Sequence, residues 1–248
     1  MEQNEEIRKA IQSVEKSNVT DWAALLTQGG IGAVPVVGGI IGEVINEFIP
    51  NQRQDRIVKL IVLLSEKLHE QDIEIVRLKL HDPYHIDMFE DACFQAIRAL
   101  SDERLNYIAN ALKNSITNDQ LEITHRKTLL WLLGQINDIE VILLFFYQKL
   151  SEGIQKEYAE KHKDVIYVPP VAIGSTPEEY QRAAIHDSYK DHLVQLGLLG
   201  ERYPFLRDGE TPKFDAIHGK FKGGHLEITP LGRSLCDYIT DEVEDEVN

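Results

Sequence analysis

Histidine and aspartate gather at one point of this 248-residue chain, where His81, Asp82, His85 and Asp87 form an H-D-x-x-H-x-D run. Histidines four apart bind zinc when they project from one face of a helix. Pro83 falls between these two and predicts a turn, which takes the imidazoles off a shared face. The run reads as solvated polar residues at a helix boundary, and no metal or other cofactor is expected. A second cluster, His186, Asp187, Asp191 and His192, lies in helical sequence, but its histidines are six apart and fall on different faces. Cys93 and Cys236 have no C-x-x-C spacing, so neither a disulfide framework nor a cysteine-rich zinc site is indicated. No G-x-S-x-G nucleophile elbow occurs. Paired carboxylates discriminate nothing in a chain with 41 Asp and Glu against 26 Lys and Arg. No catalytic residue is assigned, no small-molecule substrate is evident, and the expectation is a protein without an enzymatic site.

The formal net charge of -15 opposes broad binding to nucleic acid, where neutralised phosphates supply the affinity. It equally opposes electrostatic docking on anionic lipid. With 43% hydrophobic residues the chain has material for a core, and a cytoplasmic location is the expectation.

The chain is organised around Trp22 to Pro50, which has no charged residue between Asp21 and Glu43 and contains Gly29, Gly30, Gly32, Gly38, Gly39 and Gly42. A phosphate-cradling loop is refused by spacing, because the third glycine of G-x-G-x-x-G would fall on Pro35. A permanent membrane span needs about 20 mostly apolar residues. Interior glycines and Pro35 weaken such a helix, Glu43 and Glu47 sit in its continuation, and no Lys/Arg cluster flanks it. A signal peptide is excluded by the charged first twenty residues. Two readings stand. Val37, Ile40, Ile41, Val44, Ile45 and Phe48 make one stripe of an amphipathic helix that can be plain core. Alternatively the stripe is released to enter a membrane or pack on copies of itself. Gly38 and Gly42 form a G-x-x-x-G that lets helices approach closely. On this second reading Gly38, Ile40, Ile41, Gly42, Val44, Ile45 and Phe48 are the residues of self-association or membrane engagement.

The elements around it are helical. Ile57, Leu60, Ile61, Leu64 and Leu68 predict a long helix from near Gln52, and Phe89, Ala92, Cys93, Ala96, Ile97 and Leu100 predict another from Asp87. Ser101 caps a third, Asn118-Asp119 breaks the chain, and Leu121 to Ile136 form a fourth. Asp138 caps IEVILLFFYQKL, whose apolar circumference predicts a buried central helix. Val165 to Ser175, with Pro169-Pro170, reads as an extended linker. Thr176-Pro177-Glu178-Glu179 is a capping box with proline at the first helical position. A hairpin follows, with strands at Arg202-Tyr203 and Leu226-Glu227-Ile228, and Thr229-Pro230 opens a last helix. The order is similar to the end of a winged-helix module. The expected class is mainly α, a helical bundle with a C-terminal winged-helix-like module containing a small β-hairpin. The expected divisions are an arm (1–50), an all-α domain (51–164), the linker (165–175), the winged-helix-like domain (176–240) and an acidic tail (241–248).

A winged helix need not read DNA. Between Ser175 and Ile239 there are eight Lys/Arg against ten Asp/Glu, where a DNA reader shows a basic stripe. Lys213, Lys220 and Lys222 in the wing are the one local excess of positive charge.

Taken in order, IGAVPVVGGIIGEVINEFIP, then NQRQDRIVKLIVLLSEKL, a helical middle, and LGLL…LEITPLGRSLCDYI resemble the Abi-alpha type of bacterial protein. That type is associated by name with abortive infection, a form of phage defence. Val165 to Ser175 and the loop from Pro204 to Gly223 do not match its pattern, and no catalytic residue carries over. The resemblance implies a cytoplasmic defence protein, and the residue pattern adds a homo-oligomer or protein partner and membrane association on activation. The alternative is a winged-helix transcription regulator with a helical sensing or dimerisation domain, contacting nucleic acid through the three wing lysines.

Overall fold

The computed structural model describes residues 54–68, 75, 79, 82–148, 152–172, 174–203, 211, 213–215, 220–221 and 223–240. The glycine-rich stretch, with Gly38, Ile40, Ile41, Gly42, Val44, Ile45 and Phe48, lies outside the described residues, as do His81, Lys222 and the acidic tail.

The described chain is mainly helical, with a small antiparallel hairpin near the C-terminus. It forms two compact units, residues 1–134 with 238–248, and residues 135–237. The division falls between α4 and α5 below.

In the first unit, α1 (Gln54–Lys67), α2 (Pro83–Arg98) and α3 (Asp102–Thr117) pack on one another, and α4 (Ile123–Gln135) adds a fourth helix. The helical stripe of α1 is core: Ile57, Leu60, Ile61, Leu64 and Leu68 are all buried. Helix α2 starts four residues earlier than its apolar pattern, because Pro83 stands at N1, where its missing N–H costs nothing, and Asp82 precedes it in extended geometry. Met88, Phe89, Ala92, Cys93 and Ala96 form its buried face. Ser101 caps α3 as expected, its hydroxyl accepting from Arg104 N at 3.0 Å.

The second unit holds α5 (Asp138–Tyr147), α6 (Glu152–Lys161), α7 (Lys163–Ile166), α8 (Pro177–Gln195), four short strands and most of α9 (Pro230–Ile239). The strands are β1 (Leu199–Arg202), β2 (Phe214–Asp215), β3 (Lys220–Phe221) and β4 (His225–Ile228). β1 pairs with β4 and, nested between them, β2 pairs with β3, all antiparallel. Helix α5 buries Val141, Leu143, Leu144 and Phe145 and packs on α6, α7, α8 and β4. It is the core helix of this unit. Val165 and Ile166, read as linker, close α7, and Ile166 is buried.

The Thr176 capping box is present: Glu179 N donates to Thr176 Oγ1 at 3.3 Å, and Thr176 N donates to Glu179 Oε2 at 2.8 Å. Helix α8 ends in a Schellman motif. Gly197 adopts φ +73°, Gly197 N donates to Val194 O at 2.9 Å and Leu198 N to Leu193 O at 2.9 Å. Leu193 and Leu198, the apolar pair of this motif, are fully buried. Thr229 then ties the start of α9 to that turn, donating to Gly197 O at 2.7 Å and accepting from Gly232 N at 3.0 Å. A side chain at Gly232 would meet Leu198 O at 2.3 Å, so only glycine allows this approach of α9 to the hairpin.

Candidate functional site

Of the H-D-x-x-H-x-D run, the described Asp82, His85 and Asp87 do not converge. Asp82 Oδ2 lies 2.7 Å from His85 Nδ1, within the first turn of α2. Asp87, about 200° further round the helix, forms an ion pair with Lys127 of α4. His85 is buried and its Nε2 has no hydrogen-bond partner. Among the described residues no group of three or more His, Cys, Asp or Glu could hold a metal ion.

Beside His85, a polar network ties the chain's return to the first unit, and nothing in the sequence reading pointed to it. Arg126, buried on α4, donates from its guanidinium to Ser115 O at 2.8 Å. Ser115 Oγ donates to Ala111 O at 2.7 Å and is hydrogen-bonded to Tyr238 Oη. Asn110 Nδ2 donates to Ile239 O at 2.9 Å and Asn114 Nδ2 to Tyr238 O at 2.8 Å, so two α3 amides satisfy carbonyls at the end of α9. Burial pushes the Tyr238 phenol up, against the lowering effect of its Ser115 hydrogen bond. Lys79 Nζ donates to Ile116 O at 2.7 Å and pairs with Asp119, holding that carboxyl below its ordinary range, with Arg126 and His85 adding to the shift.

In the second unit the two histidines of α8 part company, as their spacing predicts. His192 Nδ1 lies 2.6 Å from Oε1 of Glu140, which is almost wholly buried on α5. Glu140 Oε2 also accepts from Asn137 N at 2.7 Å, and Glu140 N donates to Asn137 Oδ1 at 3.0 Å, a reciprocal capping box. Asn137, not Asp138, is therefore the cap of α5, because its side-chain oxygen accepts from the N–H three residues on, at Glu140. His186 is buried toward α7, hydrogen-bonded with the Val165 backbone, and its Nε2 has no partner. Burial first, then Lys190, holds the His186 imidazole below its ordinary pKa.

Both cysteines are buried, and no disulfide joins them. Burial pushes the Cys93 thiol up to about 12 and the Cys236 thiol higher still, so neither supplies a thiolate nucleophile.

Between α8 and the hairpin lies an open cleft of about 360 Å³, lined by Asp187, Lys190, Asp191, Glu201, Tyr203, Gly224, His225 and Leu226. Three carboxylates against one lysine suit it to cationic groups and set it against phosphate. Of the candidate wing lysines, Lys213 is exposed just before β2 and Lys220 opens β3, while Lys222 is not described. The exposed surface of α8 carries Glu178, Glu179, Asp187 and Asp191 against Arg182 and Lys190. Among the described residues no single helix is long and apolar enough to cross a membrane.

No family model matches this chain. Nor does any curated protein or solved structure. The site must be read from its own chemistry, and in that chemistry the ionisable residues with suggestive spacing serve as caps, staples and ion pairs.

Proposed function

We propose that the protein is a non-enzymatic bacterial defence protein that acts by exposing its apolar segment for self-association or membrane engagement. The observation that carries this reading is the absence of charge between Asp21 and Glu43, followed by a helical stripe running to Phe48. That stretch leads, six residues after Phe48, into a first unit whose suggestive polar residues are committed to internal pairs. The resemblance to Abi-alpha proteins supports phage defence as the setting, composition supports the cytoplasm as the resting location, and the uncharged apolar stretch supports membrane association on activation. Exposure must be driven by a partner or assembly that prefers the released state, since a ligand indifferent to both states shifts nothing. Flotation of purified protein with liposomes, beside sedimentation at several concentrations, tests the reading. Wild-type protein floats or assembles, and Ile41→Asp does neither while keeping its helical circular dichroism. Equal behaviour of the two removes the segment from the mechanism.

The C-terminal order α8, β1, β4, α9 fits a winged-helix-like module, and we propose that it serves protein interaction in preference to DNA. The acidic surface of α8 and the carboxylates of the adjacent cleft support this. Retardation of duplex DNA at low salt, lost in Lys213→Ala with Lys220→Ala, would favour the transcription-regulator alternative.

A further inference from the structure

The first unit leaves an apolar patch open at one end. Asp87 of α2 and Lys127 of α4 pair across the seam of those helices with about half of each side chain exposed. Phe94 stands seven residues after Asp87 and Trp131 four after Lys127, so both remain on the face of that pair, one to two turns further on. Gln95 Nε2, donating to Leu130 O at 2.9 Å, ties the two helices at this level. Phe94 is 41% exposed, Trp131 51%, and Leu100, just beyond α2, 85%. Single exposed apolar residues need no explanation, but a group of large ones marks a contact surface.

The described chain begins at this same end. In the first turns of α1, Lys59 lies 2.6 Å and Arg56 3.7 Å from Asp102, which opens α3. Arg104, one turn into α3, donates to Leu133 O at the end of α4. The start of α1, the end of α2, the start of α3 and the end of α4 therefore share one end of the unit. Ile49 precedes Gln54 by five residues, which can span at most roughly 17 Å. The C-terminal end of the stripe is thereby tethered within reach of this end.

We propose that the apolar stripe of residues 37–48 seats on the Phe94, Leu100 and Trp131 patch of its own chain. This rests on the reading of the segment as the acting element and names the surface that restrains it. The seat supplies three large side chains for the stripe's six, and burial of such pairs is the non-directional attraction that holds a short amphipathic helix on a body. A trigger that covers the patch or binds the stripe releases it.

The chain has two tryptophans, so Trp22→Phe leaves Trp131 as the sole tryptophan, excited selectively over tyrosine, in an otherwise intact protein. Seating predicts that adding Ile41→Asp and Ile45→Asp moves Trp131 emission to the red and raises its quenching by acrylamide, independently of protein concentration. Both native thiols are buried and their pKa values raised, so Asn46→Cys with Thr128→Cys reports proximity through a bis-maleimide in full-length protein. Seating predicts an intramolecular cross-link on the monomer band. Cross-linking only between chains, with concentration-dependent shielding, overturns the proposal in favour of a second copy. Unchanged quenching with no cross-link overturns it outright. Vesicle leakage is read separately: wild-type protein that leaks vesicles while its Trp131 is already as quenchable as in the Asp variant refutes the seat and leaves the functional reading standing.

Discussion

Asp82 with His85 in the first unit, and Glu140 with His192 in the second, are both carboxylate–histidine pairs at the start of a helix, 2.7 and 2.6 Å long. They differ in what each carboxylate is asked to hold. Asp82 is substantially exposed and closes a contact three residues along the chain, so it fixes one imidazole in a turn that Pro83 already defines. Glu140 is buried, accepts from a backbone N–H at its own cap, and reaches a histidine 52 residues away. A local pair decorates a structure that would form without it. The distant pair joins α5 to α8, which neither helix could specify alone. The first pair lies in the run whose residue types most resemble a metal site, though it reads as solvated polar residues, whereas the physical weight lies on the second.

Removing Glu140 should have the largest effect. Glu140→Ala leaves the Asn137 N–H and the His192 imidazole without their acceptor, and the expected loss is roughly 3 kcal/mol. A loss of unfolding free energy in urea of less than a third of that would place the burden elsewhere. His192→Ala keeps the α5 cap and should cost about half as much. Asp82→Ala removes only the contact to His85 and should cost about 1 kcal/mol or less. A larger loss at Asp82 than at Glu140 would reverse the comparison.

A third histidine sharpens it through pH. His186 has no carboxylate partner of this kind, and burial depresses its pKa in the folded state. Its neutral form is thus the one that suits the fold. That stability is fully present above the ordinary histidine pKa near 6.5 and is lost as pH falls through the lower folded value. Wild-type stability should fall on acidification below about pH 6.5, and His186→Phe should flatten that part of the profile. An unchanged slope would assign the acid sensitivity to other groups.

Helices were legible wherever a stripe met a punctuating residue. Ile57 to Leu68, the Ser101 cap, the Thr176 capping box and Thr229 all stand where the 3.6-residue period and cap chemistry put them. Boundaries moved where the apolar pattern lags the backbone. Helix α2 begins at Pro83 because a helix needs an extended residue before N1, not an apolar one after it. The membership of α5 was not legible, since an apolar circumference says only that a helix is covered, and its neighbours α8 and β4 come late in the chain. Glu140 with His192, and Asn110 with Ile239, were equally hidden, because contacts across 52 and 129 residues leave no local period. The polar run at His81 to Asp87 was conspicuous for the opposite reason: proximity in sequence is cheap to see and, on a helix, puts Asp82 and Asp87 to different partners.

Under this proposal residues 37–48 are the acting element and the first unit restrains them. It is tested most directly by dye release from liposomes, comparing wild-type protein, Ile41→Asp, and the seat variant Phe94→Ser with Trp131→Ser at matched concentration. The account predicts the most release from the seat variant, less from wild type and none from Ile41→Asp. Equal release from all three, or none from the seat variant at any concentration where it remains folded, would contradict it.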